Sequence, residues 1–111
     1  MSVKIEVNGE VVVAYLSGDI DHHTAKPMRE EIDKAVESNM PTLLVLDFKD
    51  VSFMDSSGIG LVMGRYRILN PKGAELAVTN PSPQIYKVMH LAGLERLAKI
   101  EKGGMKNEAV K

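Results

Sequence analysis

Apolar positions along this chain change their spacing in a way that marks out alternating strands and helices. Val3, Ile5 and Val7 alternate with polar residues, and after Asn8-Gly9 a second β-rich run covers residues 11–16. Strict alternation is the period of a strand with one covered face. Asn-Gly between two such runs signals a tight hairpin whose two turn residues take positive φ. The pattern therefore predicts antiparallel strands over residues 3–7 and 11–17. Gly18-Asp19-Ile20-Asp21-His22-His23 reads as a loop, and Thr24 as the cap of a helix over residues 24–38. Ala25, Met28, Ile32, Ala35 and Val36, spaced by threes and fours, supply its apolar face. Pro27 falls in the first turn of that helix, where a missing N–H removes no bond.

Asn39-Met40-Pro41 interrupts the pattern. Residues 42–48 (TLLVLDF) are then almost continuously apolar, as expected of a central strand covered on both faces. After residues 49–54, Asp55-Ser56-Ser57-Gly58 opens a second helix reaching Leu69. Ile59, Val62, Met63 and Tyr66 form its expected buried stripe, which leaves Arg65 and Arg67 to reach solvent. Asn70-Pro71-Lys72-Gly73 ends it. Residues 75–79 read as a short strand. Ser82 and Pro83 read as the cap and first residue of a third helix, which buries Ile85, Val88 and Met89, runs to Leu91 and stops at Gly93. Residues 97–100 suit a last short strand and 107–111 a frayed helical turn. There is no internal repeat, low-complexity stretch or linker. The order predicts a single α/β domain over residues 1–111, with helices packed on a mixed sheet.

Composition narrows the functions open to such a domain. Its 111 residues carry a formal net charge of −1 with the signs interspersed, so nothing electrostatic points to nucleic acid or an anionic membrane. The absence of cysteine excludes disulfides, thiolate metal sites and Cys nucleophiles. No apolar segment approaches membrane-spanning length, and the N-terminus lacks a basic stretch followed by an apolar run. A cytoplasmic domain is the consistent expectation. The seven methionines sit at apolar helical positions and read mainly as core filler.

Candidate chemistry centres on Asp55-Ser56-Ser57-Gly58-Ile59-Gly60, where a strand's outgoing loop meets a helix N-terminus. That end carries unpaired N–H groups and the positive pole of the helix dipole. Ser56 there suits an N-cap, with Gly58 and Gly60 permitting close packing. An exposed hydroxyl at the same place can also carry a phosphate whose charge the helix end softens. The two readings are compatible. Gly58-Ile59-Gly60 followed by Gly64 misses the dinucleotide spacing by one residue and lies inside the helix, and no G-K-[ST] exists. Gly64 reads instead as a small residue allowing close approach to the sheet. Asp19, Asp21, His22 and His23 suggest a metal site, but the remaining histidine, His90, stands alone on a late helix and the ligand set is incomplete. A serine nucleophile elbow is also missing, because Met54 stands two residues before Ser56. These residues point to a compact binding domain with a modifiable helix end, no catalytic residues, no cofactor and no metal. The alternative from another class is a small metal- or nucleotide-dependent phosphoesterase-like enzyme using Asp19, Asp21 and the histidines.

The run Ser52-Phe53-Met54-Asp55-Ser56-Ser57-Gly58-Ile59-Gly60 resembles the signature of the anti-sigma factor antagonists of the STAS family. Gly18-Asp19-Ile20-Asp21-His22-His23-Thr24 is similar to the matching loop of the sporulation sigma-F type, and Gly64-Arg65-Tyr66 and Ala92-Gly93-Leu94 extend the likeness over about residues 3–100. After Ile100 the chain departs from the family, being short and glycine-interrupted where relatives often have a fuller final helix. The resemblance implies a mixed sheet of four or five strands with helices chiefly on one side. It further implies that the unphosphorylated protein binds an anti-sigma factor serine kinase and frees the sigma factor. Phosphorylation of the serine after the Asp, here Ser56, ends binding, and a serine phosphatase restores it. Ser57 is the second choice. On the same ground Asp21, Asp55, Ser56, Ser57 and Gly58 are expected on the partner-binding surface. A STAS module of a stress-response complex or a transporter is the alternative within the fold.

Overall fold

In a computed structural model that describes residues 2–102, five strands form one sheet in the order β1-β2-β3-β4-β5. β1 (Val3–Asn8) runs antiparallel to β2 (Val11–Ile20). β3 (Leu43–Met54), β4 (Glu75–Thr79) and β5 (Lys99–Glu101) follow parallel to β2. The connections are helices α1 (His22–Asn39), α2 (Ser56–Leu69) and α3 (Pro83–Leu91), with 3-10 turns at Asn70–Lys72 and Leu94–Arg96. Each crossover joins neighbouring strands in sequential order. Right-handed crossovers of that kind deliver every helix to the same face of the sheet. The burial pattern agrees with this. Leu44, Leu46 and Phe48 of β3 are fully buried, whereas Leu43 and Val45, on the alternate positions, are only half-buried. The apolar run of β3 is therefore not covered on both faces, as its composition suggested. The core lies between sheet and helices, built from Val12, Ala14 and Leu16 of β2, β3, Val78 of β4, and Met28, Ile32, Val62 and Met89 of the helices.

Several boundaries differ from the sequence pattern for identifiable reasons. The hairpin turn is Gly9-Glu10, since Asn8 pairs with Val11. Only Gly9 has positive φ (60°), which suits a turn with glycine at its first central position. β2 continues through the expected loop to Ile20 because Gly18, at φ 83°, absorbs a register shift against β3. β3 correspondingly runs on through its polar residues to Met54. α1 starts before Thr24, with Asp21 as its N-cap. Pro27 thus lies inside the helix and deprives it of one backbone bond.

In α2 the buried residues are Gly58, Leu61, Val62, Arg65 and Leu69, while Ile59, Met63 and Tyr66 are half-buried. The helix is apolar nearly all round, so spacing alone did not select its inner face. Arg65, expected in solvent, is buried, and its Nε lies 2.9 Å from Asp33 Oδ1 of α1. Burial holds the Asp33 carboxyl above its ordinary range, and the charge of Arg65 offsets this only in part. Gly60 and Gly64 face open space, so close packing does not explain them. Val88 of α3 is exposed instead of buried. The expected helical turn at 107–111 lies outside the described residues.

One buried polar residue sits within the apolar run. Asp47 of β3 is 8% exposed, and its carboxylate accepts hydrogen bonds from Lys49 N–H (3.0 Å), Thr79 Oγ1 (2.8 Å) and Asn80 Nδ2 (2.7 Å). It fastens the end of β4 to β3.

Candidate functional site

The carboxyl ends of β2 and β3 carry the two motifs to the same edge of the fold. Ile20 pairs with Met54 in register, and the Asp55 N–H donates to the Ile20 carbonyl at 3.1 Å. The Asp21 loop and the serine loop are therefore adjacent, although well over thirty residues separate them in sequence. Asp21, Asp55, Ser56 and Ser57 are brought together. Gly58 is also there, but buried beneath them.

Each acid closes its own helix. The Asp21 side chain accepts from His23 N–H (2.9 Å) and Thr24 N–H (3.0 Å), and Thr24 Oγ1 accepts from the Asp21 N–H (2.9 Å). This reciprocal capping box satisfies two orphan donor positions at once. The backbone hydrogen bond from Thr24 is the leading cause holding the Asp21 carboxyl below its usual range. At the other loop Asp55 Oδ1 accepts from Ser57 N–H at 2.8 Å. Asp55, not Ser56, is thus the N-cap of α2, and Ser56 is its first residue. The Ser56 side chain is exposed and makes no hydrogen bond among the described residues, whereas Ser57 is half-buried.

Gly58 is shaped by packing. A Cβ at this position would overlap Cγ and Sδ of Met54, which is itself buried at the end of β3. Gly58→Ala should therefore force the Met54 side chain aside. A net loss of about 1–2 kcal/mol is expected, since overpacking outweighs the helical preference for alanine. A lowered urea midpoint, with amide shifts centred on residues 53–58, is the measurement.

Pattern reading overlooked Phe53. It stands opposite Asp19 in the β2–β3 register and leaves 53% of its surface exposed. Phe53 and buried Met54 are adjacent on β3 and so point to opposite faces of the sheet. Also visible only in the structure is a groove of about 310 Å³ between α1 and α2. His22, Lys26 and Arg29 form one wall, and Ser57, Gly60 and Leu61 the other. His22 and His23 stack on each other with ring centroids 4.0 Å apart. His90 pairs with Glu95 at 2.6 Å, and among the described residues no three His, Cys, Asp or Glu side chains converge on a metal-sized site. No helix among them is long and apolar enough to cross a membrane.

A mixed sheet with its helices on one face and a capped serine loop at its carboxyl edge defines a known class of domain. Residues 2–103 match the STAS domain family, and the chain belongs to it. It is 35% identical to the anti-sigma F factor antagonist of Paenibacillus polymyxa over 100 residues, covering 90% of this chain and 86% of that protein. The unphosphorylated anti-sigma factor antagonist SpoIIAA superposes with a TM-score of 0.77 at 36% identity, over 97% of this chain and 92% of the other. The phosphorylated form of the Bacillus cell fate determinant SpoIIAA superposes at 0.71 and 34% identity, over 98% and 99%.

Proposed function

We propose that this protein is an anti-sigma factor antagonist of the SpoIIAA type, whose unphosphorylated form binds an anti-sigma factor serine kinase in the cytoplasm and frees the sigma factor. The kinase transfers the γ-phosphoryl group of ATP to Ser56 Oγ; a new O–P bond forms, ADP leaves, and the hydroxyl proton passes to a base on the kinase. A serine phosphatase returns the protein to its binding form. The chain itself acts as a regulator and not as an enzyme.

One observation carries this reading: Ser56 presents a free, exposed hydroxyl at the first residue of α2, with Asp55 already serving as the cap. A phosphate can be added there without removing a structural hydrogen bond. Partner contact falls on the surface that surrounds it, formed by Asp21, Asp55, Ser56 and Ser57, with Gly58 shaping the loop from beneath. The similarity of the fold to both SpoIIAA forms supports a switch that acts by local blocking.

Incubation with anti-sigma kinases and ATP, followed by mass spectrometry, tests the assignment. Because Ser56 is not the cap, Ser56→Ala should change stability by less than about 0.5 kcal/mol, in contrast to the larger cost of removing a capping side chain. It should bind the kinase and remain unmodified. Stoichiometric phosphate on Ser57 of that variant would move the target to the second serine.

A further inference from the structure

We propose that the groove between α1 and α2 is a phosphate seat, in which Lys26 and Arg29, with His22 as a third donor, receive the phosphoryl group once Ser56 carries it. The proposal rests on Ser56 being the modified residue and concerns what holds the phosphate afterwards.

The groove is open, about 310 Å³, and its α1 wall is cationic or hydrogen-bond donating throughout its polar positions. Lys26 and Arg29 are both exposed, and neither forms an ion pair within 4.0 Å among the described residues. Three of the nearby acids are engaged elsewhere, while Glu30, one turn along α1 from Lys26, forms no ion pair within 4.0 Å among the described residues. Asp33, the acid felt by Arg29, lies against Arg65 at 2.9 Å. Asp21 is held by the first N–H groups of α1, and Asp55 by Ser57 N–H. Two basic side chains one helical turn apart thus line the groove with no ion pair within 4.0 Å among the described residues. This is the arrangement a dianionic group can neutralise through charge-assisted hydrogen bonds.

The opposite wall provides the route. Gly60 stands one turn below Ser56 on α2 and lines the groove, and even a Cβ there would meet nothing within 4 Å. The α2 wall of the groove is therefore clear of side chains one turn below Ser56. The capping carboxylate of Asp55 repels it from the loop side, and Lys26 and Arg29 attract it from the groove side.

The test uses the full chain with phosphoserine installed at position 56 during translation, so that it does not depend on any kinase. The second ionisation of the phosphate is followed by 31P NMR as pH is varied. Nearby cations favour the dianion, so its titration midpoint should lie about half a unit or more lower than in Lys26→Ala/Arg29→Ala, and 1 M salt should abolish the difference. Both substituted residues are exposed, and amide spectra check that the fold is kept. Identical midpoints in the two proteins would overturn the proposal. So would a lowered midpoint found only when phosphoserine is placed at position 57. If instead the kinase never modifies Ser56, the functional assignment falls while the 31P result still decides the seat.

Discussion

Phosphorylated protein should bind the proposed anti-sigma kinase about a hundredfold or more weaker than the unmodified form. The phosphate adds a charge of about −1.5 to −2 at a residue lying in the middle of the proposed contact surface. In the free domain this charge lies beside the start of α2, open to water and facing the basic wall of the groove, and exposed favourable dipole interactions there are worth roughly 0.3–1 kcal/mol. Little stability should be lost. Within an interface the dianion must shed water, and Asp21 and Asp55 lie close enough to add like-charge repulsion. An uncompensated charge buried in contact costs several kcal/mol, and each 1.4 kcal/mol is a factor of ten in affinity. Ser56→Asp should reproduce only part of the loss, having a single charge and a shorter reach. Calorimetric titration supplies the affinities. Amide spectra of the free and phosphorylated protein should differ only around Asp21, residues 53–62 and the α1 wall of the groove. Shifts spreading through the sheet and into α3 would mean that the switch is conformational and not local.

The second large effect is expected at the opposite end of the argument, in stability. Asp47→Ala should cost roughly 2–4 kcal/mol, a large share of what a domain of this size possesses. The mutation strands three donors at once: Lys49 N–H, the Thr79 hydroxyl and the Asn80 amide. Thr79 and Asn80 are half-buried, so water replaces part of what is lost and the cost stays below the sum of three buried charged bonds. Asp47→Asn keeps the shape and one acceptor oxygen and should cost about 1 kcal/mol. Urea unfolding separates the two. If alanine and asparagine prove equivalent, the carboxylate is not what ties β4 to β3.

The apolar runs of this chain and the turn residues between them were enough to specify an α/β domain with the correct order of elements. They failed where one local rule competed with another. Gly18 reads as part of a loop and the third strand as ending at Phe48, yet a positive φ and register shifts let β2 and β3 continue past them. Thr24 reads as a cap, whereas Asp21 closes the helix three residues earlier. On α2, an excess of apolar residues hid the buried face and with it the burial of Arg65. At the site, the Asp-Ser-Ser-Gly run and the Asp-His-His-Thr loop were recognisable as motifs. Their adjacency was not, since it depends on Ile20 meeting Met54 across the sheet. Nor could sequence show that Lys26 and Arg29 share a groove with Ser57, because that is a property of how α1 packs on α2.

The paired ends of β2 and β3 have a consequence for timing. Since the two loops are tied together at Ile20 and Asp55, the tip reaches a partner already assembled. Ordering side chains and loops at an interface commonly costs about 0.5–1.5 kcal/mol for each one immobilised, and a pre-formed tip avoids much of that. No folding step then stands between encounter and engagement. Association should proceed at the roughly 10⁵–10⁷ M⁻¹s⁻¹ usual for docking two rigid surfaces. With the proposed kinase and phosphatase as partners, the pace at which the protein changes hands would be set by how much of each surrounds it, and the domain itself would add almost no delay.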